Sequence, residues 1–503
     1  MARYIIGIDV GTGGSRAVLV GEKGEVLASA THEHAPFASP QNGWAEQDPH
    51  DWWNACKQAL SKLIKESGVS KTEIAAVGLT GQMHGAVLLD ENDEVLRPAL
   101  IWCDQRTQAE CDVLNETIGE QRLVEWTSNP ALTNFTLTKL MWVRTHEPEI
   151  WKRFRSFLLP KDYVRLQLTG VRATDVSDAS GTLLLDVAHR RWSQEMLAAT
   201  HLDASCLPQL FESPQVVGKV TARAASETGL AEGTPVVAGA GDQAAGAIGM
   251  GIVKAGDVSA TIGTSGVVFA ATDQPFLDPR GRLHTFCHAI PDRWHVMGVT
   301  QAAGLSFRWF RDTFGAVSAT GDPYDSLTQE AAAIPAGADG VLWAPYLMGE
   351  RTPYLDAEVR GALIGLSASH GRGHIIRAIL EGVAFSLKDT LTIFSEIGVP
   401  VNDIRLGGGG ARSPLWRQIQ ADVYAKPVSL LATEEGAAQG AAILAGVGAG
   451  LWPSVDEACA QFVHVASVVK SEKKSSDKLQ QQYKLYRAIY PALKQIREAI
   501  SAS

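Results

Sequence analysis

Cysteine is scarce. Six lie scattered through 503 residues, at 56, 103, 111, 206, 287 and 459, and none forms a CxxC pair. That pattern excludes a disulfide scaffold and a structural zinc site and fits a reducing compartment. No run of 18 apolar residues occurs, so no membrane-spanning helix is expected. The opening Met1-Ala-Arg-Tyr4 enters a strand pattern directly, without the plan of a signal peptide. Long basic runs are absent and the net charge is −10. Nucleic acid and membrane surfaces are therefore not expected partners, and an anionic ligand has to be held locally by backbone N–H groups, helix ends or a metal. The expected location is cytoplasmic. The remaining composition, 45% hydrophobic and 20% charged, is ordinary for a globular chain. At about 150 residues per domain the length suggests roughly three domains, and two large ones fit equally well.

Glycine is plentiful, and it clusters at the ends of apolar segments. Pro235 to Ala238 reads as a short strand running into Gly239, Ala240 and Gly241, then Asp242, Gln243 and a small-residue helix start up to Gly249. A carboxylate at such a strand-to-helix turn stands where α/β sheets bind ligands. The alternative is that Asp242 only caps the helix. Near the start, Tyr4–Asp9 is a strand, Gly11-Thr12-Gly13-Gly14 a turn, and Ser15–Val20 a second strand, with a third over 25–30. Such a turn can present N–H groups to a phosphate, and Asp9 inside an apolar strand needs partners or a metal. Asp257–Ala270 repeats this logic, with Gly263-Thr264-Ser265-Gly266 as the turn. Two related halves, 1–250 and 251–503, are expected, each opening with a hairpin that clamps phosphate between domains.

Further segments flank these turns. Residues 51–66 read as an amphipathic helix, and 74–79 as a strand running into Gly81-Gln82-Met83-His84-Gly85. His84 there is either a ligand-facing group or a structural histidine. Trp102, Asp104 and Arg106 combine an aromatic face with charged groups, as sugar sites do; a surface salt bridge at a helix start is the plainer reading. Residues 174–182, polar and small, are expected to form a loop near a site. A long helix is expected over 373–397, then a strand at 401–406, the glycines 407–410, and a helix capped by Ser413 with Pro414 first. Four glycines there let a ligand approach the backbone and the helix dipole. Residues 436–445 are expected to pack under that loop. The tail from Ser476 to Ile500 reads as a closing helix that Pro491 bends.

Together these motifs resemble the FGGY carbohydrate kinases, over nearly the whole chain. Gly361-x-Leu363-x-Gly365-Leu366 with His374, Ile375 and Ala378–Glu381 is similar to the family's C-terminal signature. Lys139-Leu-Met-Trp142-Val143 is similar to its N-terminal one, with Asn134 as a departure at its start. Gly81–Gly85, Trp44–Pro49, Leu159–Tyr163 and Gly349–Pro353 resemble the members that phosphorylate ketopentoses. The resemblance implies two actin-like (ribonuclease-H-like) α/β domains with a nucleotide and sugar cleft between them, ATP and Mg²⁺ as cofactors, and a sugar substrate; a homodimer is the assembly considered. It implies Asp242 as general base, Asp9 with Asp242 at the metal, and Gln82, Met83, His84, Trp102, Asp104 and Gln243 at the sugar. Gly11, Thr12, Gly263, Thr264 and Ser265 fall at the phosphates, and Gly408, Gly409 and Arg412 at the adenosine. Gln243 replaces an Asn common in that branch and matches glycerol kinases. Ribulose, gluconate and pentitols therefore stand as alternative substrates, and an actin-like ATPase that phosphorylates no sugar as the alternative class.

Overall fold

The computed structural model describes residues 3–315, 322–432 and 436–501. Two seven-stranded sheets organise it. The first runs Val216–Lys219, Pro235–Val237, Ile74–Gly81, Tyr4–Val10, Gly14–Val20 and Val26–Glu33, with Ala240–Gly241 also paired to Ile74–Gly81. The second runs Val465–Val469, Val428–Leu431, Asp403–Gly408, Asp257–Ile262, Gly266–Thr272, Trp294–Thr300 and His284–Cys287. Tyr4–Val10 is antiparallel to Gly14–Val20 and parallel to Ile74–Gly81. Asp257–Ile262 stands in the same relation to Gly266–Thr272 and Asp403–Gly408. Six strands follow in the same order and sense in both sheets, so the repeat of hairpins extends to whole sheets.

Both faces of the first sheet are covered, which is why its central strands are apolar almost throughout. Ile6, Ile8, Val10, Ala17 and Leu19 face the helix Pro49–Ser67 through Trp52, Trp53, Cys56 and Leu60. That helix is started by Asp48, whose carboxylate accepts the His50 N–H at 2.9 Å, and stopped by Gly68 at φ 67°. Ile5, Val18, Val20 and Ala76 face the helix Gly436–Gly448 instead.

This last placement corrects the sequence reading, which set 436–445 under the 407–410 loop. The helix crosses Asp242–Gly249 and lies on the first sheet. Its small residues match glycines opposite: a Cβ at Gly7 would stand 1.9 Å from the Ala438 carbonyl oxygen, and one at Gly440 1.9 Å from that of Ala245. Residues 174–182 are not a loop either. They form a strand (Ala173–Asp175), one helical turn (Val176–Ala179) and a 3₁₀ turn, all buried. Asp175 and Asp178 among them face the buried Lys161, a pairing invisible to composition. The tail is two helices, Lys473–Tyr486 and Ile489–Ser501. They part just before Pro491, whose ring and missing N–H cannot continue the ladder to residue 487. The side chain of Ile500 lies outside the described residues. The long helix spans Arg372–Glu396. Among the described residues no helix is long and apolar enough to cross a membrane.

Candidate active site

Register brings the two acidic residues of the sequence reading together. Asp9 pairs with Thr80, and Thr80 with Ala240, so Asp9 and the turn before Asp242 flank one strand at the carboxyl end of the first sheet. Neighbouring strands lie about 4.8 Å apart, so the two backbones are roughly 10 Å apart and their side chains can converge. Oδ1 of Asp9 is buried with no hydrogen-bond partner. Burial, then the neighbouring Asp242, push Asp9 up to about 7, against the pull of Arg16. Burial pushes Asp242 up to about 6, against hydrogen bonds from Gln243, whose Nε2 lies 3.4 Å from Oδ1. The helix-cap reading of Asp242 finds no support: Gly241 is the N-cap residue, and Asp242 is the first helical residue.

The first hairpin turn closes with the Gly11 N–H on the Gly14 carbonyl at 3.0 Å. Thr12 links this loop to Gln82 and Trp102. Its hydroxyl donates to Gln82 Oε1 at 3.3 Å and accepts from Trp102 Nε1 at 3.0 Å. Gln82 Nε2 in turn donates to Gln47 Oε1 at 2.8 Å. Trp102 is 40% exposed, which leaves an aromatic surface open beside the loop.

His84 sits at φ 69°, a left-handed conformation rare for a bulky residue. The hydroxyl of Thr136 and the buried Lys139 ammonium hold its carbonyl, at 3.1 and 3.0 Å. Its Nδ1 lies 2.8 Å from the Gly181 carbonyl, an acceptor, so Nδ1 carries the proton and Nε2 accepts from Asn134 Nδ2 at 3.2 Å. Burial lowers this histidine to about 3, so the ring is neutral. With both nitrogens bonded inside the protein, the ring leaves no free hydrogen-bonding atom. Met83 packs against Gly181 and Gly241.

Asp104 is fully buried; it accepts the Ala45 N–H at 2.7 Å and pairs with Arg106 at 2.7 Å. The plainer salt-bridge reading holds, inside the protein rather than at its surface. Arg106 also pairs with Glu46 at 2.8 Å and stacks on Trp44, its guanidinium carbon 3.7 Å from the ring centre.

Across the second sheet, a cavity of about 340 Å³ is lined by Gly263, Thr264, Gly409, Gly410 and Arg412, with Phe307, Tyr324 and Trp416 as its apolar walls. The Gly263 N–H closes on the Ser265 carbonyl at 2.9 Å, and Gly304 and Leu305 at a helix start donate to the carbonyls of Gly263 and Thr264. The helix Pro414–Tyr424 begins at this cavity, capped by Ser413 on the Trp416 N–H at 3.3 Å. Gly408 does not line the cavity; it stands at φ 73°, where a Cβ would meet the Ile262 carbonyl oxygen at 2.6 Å. The aromatic walls were not legible in the sequence, because Phe307, Tyr324 and Trp416 meet only in the fold.

No group of three or more His, Cys, Asp or Glu side chains able to hold a metal ion occurs among the described residues. A magnesium ion does not need one. It takes one or two carboxylates and completes its shell with phosphate and water, and the partnerless oxygen of Asp9 beside Asp242 suits that role.

Comparison with known proteins agrees with this architecture. Residues 4–249 match the model described as the FGGY family of carbohydrate kinases, N-terminal domain, and residues 258–449 match its C-terminal domain. The xylulose kinase of Bacillus subtilis (strain 168) is 41% identical over 500 residues, 99% of each chain. The gluconokinase of the same organism is 32% identical, over 88% of this chain and 87% of its own. A crystal structure described as a "xyloylose kinase" from Brucella ovis superposes with a TM-score of 0.91 at 38% identity, over 98% of this chain and 100% of that one.

Proposed function

The chain belongs to the FGGY family of carbohydrate kinases, with the family's two actin-like domains, and we propose that it phosphorylates D-xylulose to D-xylulose 5-phosphate with ATP as donor. One observation carries the chemistry: Asp9 and the turn before Asp242 flank one strand at the carboxyl end of the first sheet, close enough for Asp242 to raise Asp9. The sugar's identity is supported by the relatives named for xylulose. Residues 1–250, with the helix Gly436–Gly448 from beyond the expected boundary laid on their sheet, then form one side of the cleft, and the second sheet the other.

Phosphoryl transfer is mostly positioning and charge stabilisation. In our reading Asp242 accepts the proton of the attacking hydroxyl, and burial that raises its carboxyl toward neutral pH suits it to that work. Gln243 holds the carboxylate, and the face of Trp102 and the wall of Gln82, Met83 and His84 orient the sugar. The turns Gly11–Gly14 and Gly263–Gly266 flank the phosphates, and Arg412 with Gly409 lines the nucleoside cavity. Asp9 and Asp242 would hold Mg²⁺, which when bound neutralises phosphate charge.

The test is an ADP-release assay over D-xylulose, D-ribulose, glycerol, gluconate and pentitols. D-xylulose is expected to give the highest kcat/KM, because a site built around a substrate's hydroxyls rejects analogues that leave its own groups unpaired. A higher value for gluconate or ribulose would reassign the substrate, and ADP release without any sugar dependence would remove the kinase reading.

A further inference from the structure

The motif Leu159–Tyr163 and the misread segment 174–182 converge on one place behind Asp242. Lys161, Asp162, Arg165, Asp175 and Asp178 are all fully buried. Lys161 Nζ lies 2.6 Å from Asp162, 2.9 Å from Asp175 and 3.1 Å from Asp178, and Arg165 lies 3.0 Å from Asp162. Two cations face three carboxylates. Burial raises Asp178 well above the usual carboxylate range, against the pull of Lys161.

The cluster grips the turn that carries Asp242 at three residues, Ala238, Gly239 and Gly241. Arg165 donates to the Ala238 carbonyl at 2.5 Å. The Gly239 N–H donates to the carbonyl of Ser213, whose hydroxyl donates to Asp175 at 2.8 Å. The Gly241 N–H donates to the Ser177 hydroxyl at 3.1 Å, and that hydroxyl donates to the same Asp175 oxygen at 2.5 Å. Gly239 itself stands at φ 80°, where a Cβ would lie 2.0 Å from the Leu79 carbonyl oxygen, so the turn has one conformation to be held in.

We propose that Lys161, Asp175 and Ser177 are positioning residues, a buried charge-anchored brace that fixes the Gly241 peptide and thereby aims the Asp242 carboxylate. A buried ion cluster is a costly way to gain stability alone, since apolar replacements often do as well. Here its hydrogen bonds end on the backbone one residue before Asp242. The brace rests on the reading of Asp242 as general base.

The experiment compares wild type, Ser177→Ala, Asp242→Asn and the double variant for kcat, both KM values and melting temperature. Ser177→Ala removes one hydroxyl and no charge. Misplacing a catalytic group by a fraction of an ångström lowers kcat by about 10- to 100-fold, with both KM values within about twofold. The melting temperature falls by no more than about 4 °C. The double variant is expected to be no slower than Asp242→Asn alone, because a brace has nothing to aim once the base is gone. Wild-type kcat for Ser177→Ala beside an inactive Asp242→Asn overturns the brace and leaves the proposed function standing. So does a double variant slower than Asp242→Asn by the full single-variant factor. An active Asp242→Asn overturns both. Should Ser177→Ala fail to fold, Ser213→Ala removes the other hydroxyl on Asp175, and an unchanged kcat there overturns the brace equally.

Discussion

Asp242 and Asn differ in basicity and hardly in size. A positioned general base contributes about 10²–10⁴-fold, so Asp242→Asn is expected to lower kcat by at least that order. Sugar and ATP dissociation constants should move little, because the lost interaction matters chiefly in the transition state. Titration calorimetry beside the rate assay checks both halves of that expectation. Lys161 gives the opposite signature. Lys161→Met leaves Asp175 buried without its cation and Asp162 with Arg165 alone, and is expected to cost about 3–5 kcal/mol, read from the urea midpoint. Both residues belong to motifs visible in the sequence, yet only one was legible as chemistry. Asp242 follows a glycine turn, a local signal. Lys161 acquires its meaning from Asp175 and Asp178, which lie 14 and 17 positions along the chain and were read as a polar loop. His84 shows the same limit: the sequence marks the loop, but only the contacts to Gly181 and Asn134 show that its ring is already committed.

Among the elements, the hairpins and the long helix were legible because glycine turns and apolar periodicity are local. The partner of Gly436–Gly448 was not, because a run of alanine and glycine announces close packing without saying against what. The Ala245 carbonyl leaves no space for a side chain at Gly440. Gly440→Val is therefore expected to lose about 1–3 kcal/mol or more, measured by thermal unfolding. The long helix carries a second test at Asp389, which accepts the Tyr483 hydroxyl at 2.6 Å from the C-terminal Lys473–Tyr486 helix. Burial pushes Asp389 up to about 7, against the pull of that hydroxyl and of Arg487 and Lys388. A raised carboxyl binds its proton more tightly folded than unfolded. Its contribution is thus complete below the unfolded value of about 4 and is lost as pH rises through about 7. The melting temperature of Asp389→Asn minus that of wild type is expected to become more positive from pH 5 to pH 8; a flat difference would contradict the assignment.

At the scale of the whole molecule, two sheets of matching order carry their loops toward a shared cleft, which is expected to close on sugar and ATP together. Small-angle scattering should give a smaller radius of gyration with both ligands than with neither, and an unchanged radius would argue against closure. The crossed helices also set the order in which the protein can be made. The apolar face of Ile5, Val18, Val20 and Ala76 is covered by residues 436–448. When the ribosome has finished Gly249, the strands of the first sheet exist, but their cover is still roughly 200 residues from synthesis, a delay of about 10–40 s at common elongation rates. Through that interval the nascent chain carries an uncovered hydrophobic sheet, so its yield in the cell should depend on chaperone supply and translation speed more than its final stability suggests.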